Sequence, residues 1–365
     1  MIKYNIKELI DEVWRWEDLD PLINGKPMTE KQIQQYLHKL QLVDFEPAAD
    51  LDTLKKLQDA HLKFIPYDNF DCLNGRITSL KRREIFDKLI MHNRGGICFE
   101  LNGLYNWLLE SLGFDVTSYA ARYTDKLEVY QIRRHRVMCV TLNGKRYLTD
   151  VGVNSESPRV PLELTEGLIQ SDGISQYKLS RDEFFGWLLW QKERGKPWKR
   201  LYGFTEDPMI DKAFIAARFW CDAHPDSPFI KNKTLSIFRE DCNITIRGNF
   251  LKFYLSGRVK YRYRIRTGAE LKEILWEYFG INVEYQLKDD GIDFDWYYSV
   301  VFDLWAYKAQ FLFHDLVSEM DENLLVAKLP QYTKSILNAL NAAGYEAYVV
   351  GGAVRDLLLG CEPGD

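Results

Sequence analysis

The spacing of apolar residues changes near position 115, and this change limits the fold more than any other feature of the sequence. Across residues 33–114 the apolar side chains recur at helical spacing, as in "TLKKLQDAHLKF" and "REIFDKLIMHN". Across residues 115–204 they alternate with polar ones in short runs separated by Gly, Asn and Pro turns. A third block, residues 211–283, mixes strands with a closing helix, "GAELKEILWEYFG". The pattern predicts a helical bundle, then antiparallel β-structure, then a mixed region.

The stretch "RGGICFELNG" places Cys98 at the start of a predicted helix. Apolar residues follow it at helical spacing as far as Gly113, which stands where a C-cap glycine is expected. The unpaired amides and the positive dipole end at a helix N-terminus favour a thiolate. We expect Gly95 and Gly96 to let the backbone turn tightly and to leave the sulfur approachable. Cys98 is therefore a candidate nucleophile; the alternative is a small buried apolar residue.

A hairpin further along the chain supplies a base and an acid. Asn143-Gly144, between two alternating runs, is typical of a two-residue type I′ turn and fixes the register of the flanking strands. In that register His135 and Asp150 are diagonal neighbours on one face, about 7 to 8 Å apart at the backbone. Taken singly, His135 suits a surface position and Asp150 a turn. Together with Cys98 they form a candidate nucleophile, base and orienting acid.

Composition limits the other possibilities. The six cysteines contain no CxxC pair and no regular spacing, which argues against a disulfide framework and against a metal site. No segment has the pattern of a secretory signal or a transmembrane span, so we expect a cytoplasmic protein with no membrane partner. A net charge of −5 gives no overall attraction to nucleic acid.

The motif around Cys98 resembles the active-site pattern of the arylamine N-acetyltransferases, Arg-Gly-Gly-x-Cys-x-Glu-x-Asn. Other stretches are also similar to that family, namely "HLKFIPYDNFD", "HRVMCV", "DVG", "LYGFTEDP" and "HPDSPF". The resemblance spans roughly residues 31–285. It implies a catalytic triad of Cys98, His135 and Asp150, the residues that the helix and hairpin arguments reach independently.

The resemblance also implies the fold class, α+β and multidomain, with a cysteine-protease-like triad between the first two domains. Its three parts are a helical bundle, an antiparallel β-barrel and an α/β lid. We therefore divide the chain into an N-terminal extension (1–30), the helical bundle with the nucleophile (31–114), the barrel with His and Asp (115–210), the lid (211–285), a linker (286–328) and a C-terminal segment (329–365).

The implied activity is acetyl transfer from acetyl-CoA, through an acetyl-cysteine, to a small arylamine or arylhydrazine by a ping-pong mechanism. Acetyl-CoA is then a co-substrate, and no permanently bound cofactor or metal is expected. Two other functions stay open. One is an amide synthase of the same fold that uses a different acyl donor, and the other is a CoA-binding protein without turnover.

The sequence departs from the family at two places near the site. The family's Asp-Val-Gly-Phe-Gly reads here as Asp150-Val151-Gly152-Val153-Asn154, so valine replaces an aromatic residue that lines the acceptor pocket in the family. The second departure is in the Ile-Pro-Phe-Glu-Asn run, where glutamate becomes Asp68. Family members pair that acid with the motif arginine, so we expect a structural ion pair between Asp68 and Arg94.

Two further segments carry predictions. In "RVKYRYRIR" a cation occupies every second position, which gives a candidate site for the phosphates of CoA or, alternatively, a solvated outer face. The candidate CoA-binding residues are Arg258, Lys260, Arg262 and Arg264. Residues 329–365 resemble the opening of CCA-adding tRNA nucleotidyltransferases, but the chain stops at the first carboxylate of that family's metal-binding pair. We expect no nucleotidyl transfer, and either a truncated fusion or a retained regulatory element.

Overall fold

The structure, a computed structural model, describes residues 26–124, 132–240, 242–255 and 257–283. The predictions for residues 1–25, for the linker 286–328 and for the segment 329–365 lie outside the described residues.

Helices dominate the first part of the chain, as predicted. The described elements are α1 (Glu30–Lys39), α2 (Leu51–Phe64), β1 (Tyr67–Asp68), α3 (Phe70–Leu73), α4 (Arg82–Phe86, continued by a π-helical turn Asp87–Met91) and α5 (Cys98–Ser111). Thr29 starts α1 through a capping box, because its hydroxyl accepts from the Gln32 amide and the Gln32 side chain accepts in return. Every residue of α5 from Cys98 to Leu109 is buried, so this helix forms the centre of the helical core.

The next part of the chain is an eight-stranded antiparallel sheet. Its strands are β2 (Asp115–Tyr123), β3 (His135–Leu142), β4 (Lys145–Thr149), β5 (Leu162–Glu163), β6 (Gln170–Ser171), β7 (Ser175–Asp182), β8 (Gly186–Glu193) and β9 (Lys199–Pro208), in the order β5-β4-β3-β2-β9-β8-β7-β6. The Gln170 side chain bonds both the amide and the carbonyl of Glu163, at 2.7 and 3.0 Å. These bonds join the two edge strands, so the sheet curls into a nearly closed barrel.

The hairpin register predicted from the Asn143-Gly144 turn is confirmed. Leu142 pairs with Lys145, and both turn residues have positive φ, 50° and 76°. Regular pairing ends at Met138 and Thr149, so Asp150 lies immediately after β4. Along β3 the buried side chains alternate between the barrel interior and the helical core, because successive residues of a strand face opposite sides.

The third part of the chain contains helices α6 (Ile215–Ala223) and α7 (Gly268–Ile274) and strands β10 (Thr234–Phe238), β11 (Cys242–Arg247), β12 (Phe250–Leu255) and β13 (Arg258–Arg264). Its sheet has the order β1-β10-β11-β12-β13, with Tyr67 opposite Ser236. The edge strand β1 therefore comes from the helical part, and the domain boundaries given above stay a prediction. Within the described ranges, every helix is too short or too polar to cross a membrane.

Candidate active site

Cys98 is the first residue of α5 and is 1% exposed. Its predicted place at the helix start is confirmed, but the expectation that the preceding glycines leave the sulfur approachable is wrong. A Cβ on Gly95 would lie 2.3 Å from the Pro66 carbonyl oxygen, and one on Gly96 would lie 2.7 Å from a Glu100 carboxylate oxygen. The two glycines are therefore needed for close packing of the loop, not for access to the thiol.

The structure brings His135 and Asp150 together, as the hairpin predicts. His135 Nε2 lies 2.7 Å from Asp150 Oδ2, and both side chains are buried. Burial by itself lowers the pKa of His135, but the Asp150 carboxylate and a hydrogen bond with Cys98 raise it to about 10. The imidazolium form therefore persists at neutral pH, next to the thiol.

Asn102 is the residue whose role the sequence argument missed. Its Nδ2 donates to Asp150 Oδ1 at 2.8 Å and to the Arg136 carbonyl at 2.6 Å, while its Oδ1 accepts from the Val151 amide at 2.9 Å. Asn102 follows Cys98 by four residues on α5, so both project from the same helix face. That spacing is the signal in the sequence: the asparagine ties the acid's loop to the helix that carries the nucleophile.

Gly152 allows the acid's loop to approach the nucleophile. Its amide donates to Asp150 Oδ1 at 2.8 Å. A Cβ at this position would lie 2.8 Å from Cys98 Cα and 2.8 Å from Asn102 Nδ2, closer than side chains normally approach. The position therefore requires glycine for space.

Val153 and Asn154, the two residues after Gly152 that differ from the family pattern, both suit their surroundings in the structure. Val153 is 2% exposed and packs in the barrel interior. Asn154 adopts φ 54°, in the left-handed region, where asparagine is tolerated better than most residues. Asparagine therefore suits the backbone conformation at this position.

The predicted ion pair between Asp68 and Arg94 is wrong. Arg94 donates instead to Asp71 Oδ1 at 3.0 Å, and Asp71 follows Asp68 by three residues. Asp68 accepts from the Phe70 amide through Oδ1 and forms no direct ion pair with Arg94. Its charge is nevertheless the largest of the influences that raise the pKa of the guanidinium against the effect of burial, followed by that of Asp71. The motif arginine is thus held by an acid of α3, not of β1.

Arg136, the neighbour of His135 on β3, anchors the strand on its other face. Its guanidinium is 2% exposed and donates to Ser118 Oγ at 2.9 Å and to Asp211 Oδ1 at 2.8 Å. Ser118 in turn donates to Asn106 of α5 at 3.1 Å. This polar network joins the helical part, the barrel and the start of the third part directly behind the candidate triad.

The cations of β13 lie in a different environment. Arg258, Lys260 and Arg262 are exposed and Arg264 is half-buried, so the predicted cationic strand exists, while its role in binding CoA stays a prediction. No cluster of His, Cys, Asp and Glu able to hold a metal ion occurs among the described residues. A cavity of about 1110 Å³ opens beside α1, and none of Cys98, His135 and Asp150 lines it.

A buried thiol at a helix N-terminus, paired with an imidazole and a carboxylate from a neighbouring barrel, defines an enzyme class with a cysteine nucleophile and a cysteine-protease-like triad. Comparisons with known proteins narrow this class. A family model for N-acetyltransferases matches residues 50–288. The arylamine N-acetyltransferase of Mycobacterium tuberculosis is 33% identical over 251 residues, which cover 66% of this chain and 87% of that protein.

Solved structures similar to this chain belong to the same family. The M. tuberculosis arylamine N-acetyltransferase aligns with a TM-score of 0.64 at 32% identity and covers 68% of this chain and 93% of that one. The Mycobacterium marinum enzyme in complex with CoA aligns with a TM-score of 0.64 at 28% identity, with the same coverage. The chain belongs to the arylamine N-acetyltransferase family and is an acyltransferase. The family and the fold class predicted from the sequence are confirmed.

Proposed function

We propose that the protein transfers an acetyl group from acetyl-CoA, through an acetyl-Cys98 intermediate, to a small arylamine or arylhydrazine. The observation that carries the proposal is the buried contact between His135 and Asp150, with the Cys98 thiol near enough to the same imidazole to help raise its pKa. This geometry supports Cys98 as nucleophile, His135 as proton carrier and Asp150 as the group that orients and stabilises the imidazolium.

The first half-reaction acylates the cysteine. The Cys98 thiolate attacks the thioester carbon of acetyl-CoA, the bond between that carbon and the CoA sulfur breaks, and the CoA thiolate takes a proton from the His135 imidazolium. We assign the amide of Cys98 to the developing oxyanion, since it stands at the first position of α5, where a helix has no internal acceptor for it. The preceding Ile97 amide is already bonded to Glu100.

The second half-reaction releases the acetyl group to nitrogen. The amine attacks the acetyl carbon, neutral His135 takes a proton from the nitrogen, and the Cys98 thiolate leaves as the imidazolium forms again. An arylamine suits this step because its nitrogen is neutral at pH 7, whereas an alkylamine is protonated and cannot attack. Val153 is smaller than the family's aromatic residue and leaves an amide synthase with a larger acyl group as the second candidate.

The phosphates of CoA need cations, and β13 supplies four within seven residues. The CoA complex of the M. marinum relative supports CoA as the acyl carrier of this fold. We therefore keep Arg258, Lys260, Arg262 and Arg264 as the proposed phosphate contacts. The alternative is that these exposed cations contact only water, and the KM for acetyl-CoA of a variant that lacks them decides between the two.

Two-substrate kinetics test the proposed function. Initial rates with acetyl-CoA and 4-anisidine should give parallel double-reciprocal lines, since the first product leaves before the amine binds. Intersecting lines would contradict the acetyl-cysteine route. Turnover with longer acyl-CoAs but not with acetyl-CoA would favour the amide synthase. If the folded protein turns over no acyl-CoA, the function supported is that of a CoA-binding protein without turnover.

A further inference from the structure

A second, largely buried polar network leads to the loop that precedes Cys98. It runs from Arg94 to Asp71 (3.0 Å), from Asp71 to Lys88 (2.6 Å), from Lys88 to Glu100 Oε1 (2.7 Å), and from Glu100 Oε2 to the Ile97 amide (3.1 Å). Its two ends therefore attach to the loop that delivers Cys98 to the helix. The reaction described above uses none of these side chains.

The contact between Glu100 and Ile97 is half of a capping box. Glu100 stands at the third position of α5 and accepts from the amide of the N-cap residue, but an isoleucine N-cap has no side-chain oxygen with which to return a bond. The orientation of the peptide before Cys98 therefore depends on the Glu100 carboxylate. Gly96 makes room for it, since a Cβ there would lie 2.7 Å from Oε2.

The charges of this network do not balance. Asp71 and Glu100 are the carboxylates of the network, and the charge of the buried Asp68 also acts on its two largely buried cations, Lys88 and Arg94. A third cation, Arg76, approaches Asp71 only to 4.0 Å and is 70% exposed. Asp68 Oδ2 is buried without a hydrogen-bond partner among the described residues. A cluster with more buried carboxylates than cations takes up a proton more readily than the same carboxylates in water.

We propose that Glu100 is a positioning residue for Cys98: while ionised, its carboxylate holds the Ile97 amide and the Lys88 ammonium together and fixes the loop that presents the thiol to His135, and its protonation releases that loop. The inference rests on the proposed function only for the nucleophilic role of Cys98. Glu100 itself touches neither substrate nor thiol.

The titration of Glu100 falls within the working range of an enzyme. Burial raises its pKa to about 7, although the Lys88 ammonium acts in the opposite direction, and Asp71 adds to the rise. Arg94 and Cys72 also lie within electrostatic range of the Glu100 carboxyl, and Asp68 lies within electrostatic range of Lys88 and Arg94. Because the pKa of His135 is raised to about 10, the imidazole is still mostly protonated at pH 9, and its titration lies above the step expected for Glu100.

The experiment measures the rate at which iodoacetamide alkylates Cys98, by peptide mapping, from pH 5.5 to 9. Burial raises the pKa of Cys72 and Cys221, and that of Cys139 to about 12, so these thiols should react later. In the wild type we expect a step near pH 7 above which the rate is about 3 to 10 times higher. Glu100→Gln should lack the step and stay at the slower rate.

Two further variants make the result specific. Glu110→Gln removes a carboxylate from the far end of the same helix, where it pairs with Arg82, and should keep the step. Lys88→Gln removes the ammonium that lowers the pKa of Glu100, and should move the step to higher pH; it also serves if Glu100→Gln does not fold, as judged by circular dichroism.

The outcomes separate this inference from the proposed function. A step that persists unchanged in Glu100→Gln, or one that does not move in Lys88→Gln, overturns the positioning role of Glu100 even if acetyl-CoA still acylates Cys98. Failure of acetyl-CoA to acylate a wild type that shows the Glu100-dependent step would overturn the proposed acyl donor and leave the positioning role supported.

Discussion

The surroundings of Cys98 and the cationic face of β13 are two candidate functional regions that differ in almost every physical respect. Around Cys98 the side chains of His135, Asp150 and Asn102 are buried and each holds a defined partner, so moving one atom disturbs several contacts. On β13 the cations are mostly exposed, and water screens their interactions with any ligand. The difference teaches that the chemical step should depend on single residues, whereas phosphate binding should depend on the sum of several charges.

The largest effect is expected from Asp150→Asn. Without the carboxylate, His135 loses the largest influence that raises its pKa while burial still lowers it, so its pKa falls and the imidazole stabilises a thiolate less. Turnover should fall about 10³-fold or more. Acetyl transfer measured beside Asp115→Asn, an exposed acid of β2, provides the matched control; equal activity of the two variants would refute the triad.

Gly152→Ala should have the next largest effect. The new methyl group would overlap Cys98 Cα and the Asn102 amide, so either the acid's loop or the helix start must move. A displacement of about 1 Å at a reacting group costs roughly 100-fold in rate. Asn154→Gly, two residues away, suits the left-handed backbone and should leave turnover unchanged. A fully active Gly152→Ala enzyme would show that the close approach is unimportant.

Asn102→Ala and Asn106→Ala compare a residue that contacts the acid's loop with one that does not, on the same helix α5. It removes two donated hydrogen bonds and one accepted bond at the acid's loop, so we expect turnover to fall about 10- to 100-fold and stability to fall by about 1 to 3 kcal/mol. Asn106→Ala, one turn further along, removes contacts to Glu110 and Ser118 and should cost similar stability with little loss of rate. Equal losses of rate in the two variants would show that Asn102 contributes to stability only and does not position Asp150.

The smallest effect is expected from changing the four β13 cations to glutamine together. The KM for acetyl-CoA should rise about tenfold at low salt and less at high salt, because exposed charges are screened. Activity with 4-nitrophenyl acetate, a donor without phosphates, should not change. The control Lys55→Gln/Lys56→Gln alters two exposed cations of α2. A KM for acetyl-CoA that is unaffected by the fourfold change would assign β13 to simple solvation.

Local sequence predicted the parts of the site that depend on neighbouring residues. The start of α5 follows from helical spacing after Cys98, and the approach of His135 to Asp150 follows from a two-residue turn that fixes the register of both strands. The glycines before Cys98 were predicted to expose the thiol, but they are needed for close packing. The Pro66 carbonyl that crowds Gly95 belongs to a distant segment, so local sequence could not show this contact.

Contacts between distant segments could not be predicted from spacing. The pairing of β1 with β10 joins residues more than 160 positions apart and follows from packing of the whole chain. The partner of Arg94 was misassigned to Asp68, since only the path of the backbone decides which of two nearby acids faces the guanidinium. The role of Asn102 was missed for the same reason: its partner Asp150 is 48 residues away.

The central claim is that Cys98, activated by His135, carries the acetyl group. The most direct test is the intact mass of the purified protein after incubation with acetyl-CoA in the absence of amine, with Cys98→Ala and His135→Ala alongside. We predict one acetyl adduct on the wild type, none on either variant, and its loss when 4-anisidine is added. An adduct that forms equally on Cys98→Ala, or a folded wild type that acquires none, would contradict the account.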